Sequence, residues 1–155
     1  MPFRIQGLMP ETFAHLFGLS DAQLSEHQAV RYLVDSKPGY PDRVTLREAD
    51  PGASVLLVNH LHLDVQTAYR SQHAIFVLEG ATTAFDEINT VPEVLRPRVL
   101  SLRAFDTLGM MLDADLVDGR EVEVLIERLF SNPSTEFIHA HNAKRGCFAC
   151  RIDRL

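Results

Sequence analysis

The sequence predicts an α+β fold, a mostly antiparallel sheet packed by one amphipathic helix and by short amino-terminal helices. Two observations carry this. From Val30 onward, short apolar segments of strand type are separated by Pro- and Gly-bearing turns. One longer helix is strongly specified, Val122 to Phe130, where apolar residues repeat at helical spacing over two turns. The element order is then strand, helices, many strands, helix, strands, which is the pattern of an α+β domain.

Each element has a local reason. Phe3 to Leu8 alternates as a short strand. Pro10 suits a first helical position, Phe13, Leu16 and Phe17 share one face, and Gly18 stops the turn. Ser20 and Gln23 have capping-box spacing, with Leu19 and Leu24 placed as a hydrophobic staple for a second short helix. Val30 to Val34 reads as a strand, and Lys37-Pro38-Gly39-Tyr40-Pro41 forces a loop. Arg43 to Arg47 and Ser54 to His62 read as the arms of a hairpin turning through Asp50-Pro51-Gly52. Val55 to Val58 is apolar on both faces and belongs in the middle of a sheet. Ala74 to Leu78 is a further strand.

Leu100 to Phe105 and Met110 to Leu116 form a second hairpin around Asp106-Thr107-Leu108-Gly109. The helix over Glu121 to Asn132 presents Val122, Leu125, Ile126, Leu129 and Phe130 as one apolar stripe. Asp118 and Glu121 have the spacing of a cap and its N3 partner, and Asn132-Pro133 ends the helix. Glu136 to His141 and Cys147 to Arg151 close the chain as strands about the turn Asn142 to Gly146.

Composition bounds the function. A chain of 155 residues that is 46% apolar and 23% charged supports one domain, residues 1–155, with an ordinary core. Its net charge of −6 is a poor match for nucleic acid. No segment has the length of a membrane helix and the amino terminus lacks a signal-peptide pattern, so a cytoplasmic location is expected. Two cysteines cannot build a disulfide framework.

The last hairpin concentrates the chemistry. His139 and His141 share a strand face with Phe137, because side chains alternate with period two. His60 and His62 form a second His-x-His pair, so a His-rich metal site is one alternative reading. Cys147-Phe148-Ala149-Cys150 is formally a C-x-x-C, but in a strand with Phe148 and Ile152 on one face the two thiols point to opposite sides. Cys147 follows Lys144, Arg145 and Gly146, and positive neighbours are what a nucleophilic cysteine needs. Arg43, Arg103 and Arg145 supply guanidinium groups for a carboxylate or phosphate. Asp113 and Asp115 share a strand face but lack the glycine and terminal glutamate of a calcium loop.

Met1 to Leu8 followed by Pro10, then Pro38-Gly39-Tyr40-Pro41-x-Arg43, Leu102-Arg103-Ala104-Phe105-Asp106, His139-x-His141-Asn142 and Gly146-Cys147-Phe148 occur in an order that resembles, over essentially the whole chain, one bacterial family, domain of unknown function family 1203. That resemblance implies no established activity, cofactor or substrate. It implies that Arg43, Arg103, His139 and Cys147 stand at matching positions, and it disfavours a shared metal site or C-x-x-C. Several relatives carry cysteine where this chain has Asp42.

The expectation is a polar pocket near the last hairpin that binds a small anionic molecule. Arg43, Arg103 and Arg145 hold the anion, and His139, His141 and Asn142 hydrogen-bond to it. Cys147 lines the floor, and any catalysis uses Cys147 as nucleophile and His139 as base. No metal or other cofactor is specified. An interaction module that uses an exposed sheet edge is the rival class.

Overall fold

The computed structural model describes residues 1–155 and shows the α+β class, with nine strands and few helices. The strands are β1 (Phe3–Gln6), β2 (Val30–Leu33), β3 (Ser54–Leu63), β4 (Ser71–Leu78), β5 (Asp86–Ile88), β6 (Val99–Phe105), β7 (Met111–Asp118), β8 (Phe137–Asn142) and β9 (Phe148–Arg154). They divide into two sheets rather than one. The larger runs β5-β1-β9-β8-β6-β7 and the smaller β2-β3-β4, and all pairings are antiparallel.

Helix α1 (Asp21–Glu26) starts at the expected Ser20–Gln23 capping box, and α2 (Val122–Phe130) follows a short turn in which Asp118 accepts from the Arg120 amide. The α2 stripe buries against Leu100, Leu102, Ile138, Ala140, Cys150 and Ile152 of the six-stranded sheet. Arg128 on α2 bonds Asp113 and Asp115 of β7 at 3.3 and 3.0 Å, so these two carboxylates serve the helix-sheet contact. The amino-terminal helices do not join α2. Phe13, Leu16 and Leu24 pack instead on Leu56, Val58, Ile75 and Val77 of the small sheet. None of the helices is long and apolar enough to cross a membrane.

One expected strand is absent. Arg43 to Arg47 forms a tight loop, and β2 and β4, not this segment, flank β3. The cause is the buried Asp42 carboxylate, which accepts from the Val44 and Thr45 amides, the Thr45 hydroxyl and, across the gap, the Leu78 amide of β4, at 2.6–3.1 Å. Local side-chain-to-backbone bonds of this kind compete directly with a sheet ladder. Leu46 accordingly has φ +53°, where a residue with a Cβ is uncommon, and its side chain is fully buried. Gly7 makes the close approach possible: a Cβ there would lie 2.0 Å from the Val44 carbonyl oxygen.

The second departure lies at the start of β9. The β8–β9 register shifts between Ala140 and His141, so that His141 faces Phe148 while Ala140 faces Cys150. This bulge turns Phe148 onto the histidine face while Cys150 and Ile152 stay under α2. The expected sharing of one face by Phe148 and Ile152 therefore fails. Cys147 precedes β9 rather than belonging to it.

Candidate functional site

The loop 39–48 delivers Arg43 into the protein. Its backbone is tied on three sides: the Arg43 amide donates to Phe76 O at 3.2 Å, Leu8 N donates to Arg43 O at 2.8 Å, and Ala49 N donates to Tyr40 O at 3.0 Å. The side chain is only 2% exposed. It spends its fork on three acceptors, with Nε donating to Phe148 O at 2.8 Å, Nη1 to Pro41 O at 2.7 Å and Nη2 to the Cys147 Sγ at 3.1 Å. Burial lowers the Arg43 pKa, and attraction to Cys147 opposes that shift. The guanidinium keeps its charge regardless. No carboxylate bonds to it; the sulfur is its one side-chain partner.

Cys147 is held from the other side by the turn before it. Gly146 N donates to Asn142 O at 2.7 Å, Asn142 N donates to Cys147 O at 2.9 Å, and Gly146 supplies φ +78°. Asn142 Nδ2 lies 3.6 Å from the sulfur, while its Oδ1 is buried without a partner. Two adjoining cavities of about 350 and 420 Å³ open here, both lined by Gly39, Arg43, Phe76, Arg145 and Cys147. The first adds Arg98, Asn142 and Lys144; the second adds Tyr32, Tyr40 and His73 among others. No Asp or Glu lines either cavity. Arg98 is neutralised from behind by an ion pair with buried Glu48, and Lys144 and Arg145 are exposed with no ion-pair partner.

The predicted residues thus fall into two groups. Arg43, Asn142, Arg145 and Cys147 come together. Arg103, His139 and His141 do not join them, and none of the three lines a cavity with Cys147. Phe148 stacks on His62 at 5.2 Å, while the sulfur of its neighbour Cys147 is bonded to Arg43 instead. His139 makes no hydrogen bond to Cys147; it lies against Phe148 at 4.9 Å and Phe137 at 5.0 Å between ring centroids. The pairing of Cys147 with His139 as base has no geometric support. The histidine that shares a cavity with Cys147 is His73.

The two His-x-His pairs do meet. His62 lies 5.0 Å from His141 and 6.1 Å from His139 between ring centroids, and Arg103 Nη1 is 3.5 Å from His141 Nε2. Burial pushes the pKa of His141 down to about 3, that of His62 to about 4, and that of His139 well below its ordinary value. All three imidazoles are neutral at pH 7. Three or more His, Cys, Asp or Glu side chains are nowhere grouped so as to hold a metal ion.

Lys144, Arg98, His73, Tyr32, Tyr40 and Phe76 were missed as site residues. Lys144 had a signal, since it precedes Arg145 in the same turn. Arg98, Tyr32 and Phe76 arrive from distant segments and had none.

The two thiols differ sharply, and this has a measurable consequence. Both are free, but Cys147 lines the cavities, while Cys150 is 1% exposed and burial pushes its thiol up to about 12. Brief iodoacetamide treatment of native protein is expected to modify Cys147 alone, read by peptide mass spectrometry. Equal labelling of Cys150 would show that the α2 core opens as readily as the cavity.

The family model described as protein of unknown function (DUF1203) matches residues 39–154. The chain belongs to this family, and the match spans the Arg43 loop, the histidine cluster and the whole carboxy-terminal hairpin. No curated protein and no solved structure matches the chain.

Proposed function

We propose that the paired cavities beside Cys147 bind a small anionic metabolite in the cytoplasm. Arg145 and Asn142 contact the anion and the buried Arg43 contributes its charge, with Arg98 and Lys144 added to the set expected from the sequence. The observation that carries this reading is electrostatic. A chain of net charge −6 gathers Arg43, Arg98, Lys144 and Arg145 around cavities with no acidic lining. Lys144 and Arg145, which have no ion-pair partner, raise the local concentration of anions, and the Arg145 guanidinium fork can bind carboxylate or phosphate through paired donors. The cavity volumes fall within the range of about 300–1,000 Å³ usual for small-ligand sites. Cys147 is the one thiol in this lining, and turnover by covalent catalysis at the site would run through its sulfur.

An interaction role for the β7 edge has less support. The strand exposes Leu112 and Leu116, but Asp113, Asp115 and Asp118 interrupt it with charge, which guards an edge against strand addition.

Thermal melting in rising inorganic phosphate tests the reading. The melting temperature should climb with a saturating dependence, because a ligand at 100 times its Kd adds about 2.7 kcal/mol. Phosphate also stabilises proteins generally through exclusion from their surface, so the double variant Lys144→Ala/Arg145→Ala is the control. Both residues are exposed, and the variant should fold normally while losing most of the phosphate response. An identical response in the two proteins would overturn the reading.

A further inference from the structure

The two cavities meet at Arg43, Phe76, Arg145 and Cys147 but differ in character away from that junction. On one side lie Arg98, Asn142 and Lys144. On the other lie Tyr32, Tyr40, Leu57 and Ile75. The rings there form a continuous wall: Tyr32 and Phe76 pack edge to face at 5.7 Å, and Tyr40 and Phe76 at 5.2 Å. Tyr40 turns its hydroxyl outward to Asp35, donating at 3.1 Å. Its polar end is thereby occupied. The junction is fixed by backbone, since Arg43 N donates to Phe76 O, joining the cationic and aromatic halves through one hydrogen bond. A ligand that is only an inorganic anion would leave the aromatic half unused.

We propose that the ligand is an aryl or heteroaryl anion, a planar apolar ring joined by a short link to a phosphate or carboxylate. The ring lies in the Tyr32–Tyr40–Phe76 half and the anionic group in the Arg43–Lys144–Arg145 half. This inference rests on the anion reading above and adds the class of molecule. It places the link of the ligand beside the Cys147 sulfur, at the junction of the halves. Burial of an aromatic ring against such a wall, rather than charge, then supplies the discrimination between this molecule and simple anions.

Matched probes separate the two ideas. Calorimetric titrations compare phenyl phosphate with inorganic phosphate, phenylacetate with acetate, and phenol alone. The aryl anion of at least one pair should bind about tenfold or more tightly than its simple counterpart, the scale expected for one buried ring. The pair that shows the gap names the anionic group. Tyr32→Ala should shrink that gap to about threefold or less while leaving simple-anion binding within about twofold. Tyr32 is 39% exposed, so this variant should fold. NOEs from the aryl protons to the Tyr32 and Phe76 rings give the same answer without a variant. Equal affinity of aryl and simple anions would overturn the inference and leave the anion reading standing. Phenol binding as tightly as phenyl phosphate would overturn it also. Absence of binding by every anion would remove both.

Discussion

Arg43→Ala is expected to cost about 3–5 kcal/mol of folding stability, because it strips three buried acceptors of their donor and opens a hole where a guanidinium sat. The acceptors are Phe148 O, Pro41 O and the Cys147 sulfur. They lie in two segments far apart in sequence, Pro41 in the loop itself and Cys147-Phe148 at the other end of the chain, so the side chain works as a pin joining the 39–48 loop to the start of β9. Lysine does not replace it: one ammonium on a flexible stem cannot meet the three directions of the fork, and Arg43→Lys should still lose about 2 kcal/mol. Urea unfolding followed by circular dichroism reads both values. Arg145→Ala, on the surface, should stay within about 0.5 kcal/mol of the parent. A loss under about 1 kcal/mol for Arg43→Ala would mean that the buried fork is not what orders the site.

Acid should begin to destabilise the protein at a pH where its carboxylates are still ionised. His139 and His141 are each 2% exposed, and burial holds both pKa values below that of a free imidazole. The sign follows from linkage. The unfolded chain binds protons below pH ~6.5 that the folded one refuses, so stability is complete above that pH and is lost as pH falls. Two such groups give a slope of about 3 kcal/mol per pH unit, continuing down toward the folded pKa of about 3 for His141. His62, at about 4, steepens it. Against a typical stability of about 5–15 kcal/mol, the midpoint of acid unfolding should lie near pH ~4–5. Glu79 and Asp118, whose ion-paired carboxylates are also lowered, add their loss only at more acidic pH. His139→Phe should flatten the slope by one proton. A stability that is level between pH ~7.5 and ~5 would contradict the packing of neutral imidazoles between the sheets.

What could be read from the sequence was whatever depends on near neighbours in the chain. The α2 stripe, the Ser20–Gln23 box, the strand expected over Met110 to Leu116 and found at Met111–Asp118, and the turn at Asn142–Gly146 are each specified by residues a few positions apart. The division of the strands into two sheets depends on which distant strands pair, and periodicity is blind to that. The Arg43–Arg47 segment failed for a different reason. Its alternation fitted a strand, but one buried carboxylate, Asp42, offered the backbone better bonds. This chain uses the Asp42 carboxylate to fold its loop.

The site shows the same limit. Cys147, Arg145 and Asn142 are close in sequence and stayed together. Arg103, His139 and His141 were assigned to the same pocket because they share a hairpin or face a neighbouring strand. A one-residue bulge at the β8–β9 ladder separates them from the thiol. No propensity in Phe148-Ala149-Cys150 announces that bulge. Arg43 joined Cys147 across more than a hundred residues, and only the shared family motifs had pointed to both.

Anion binding at the Arg43–Cys147 junction would be read from amide chemical shifts during a phosphate titration. Saturable shifts are expected at Gly39, Arg43 and the Asn142–Cys147 turn alone, with the His62, His139 and His141 face undisturbed. Shifts centred on that histidine face, or none at any phosphate concentration, would contradict it.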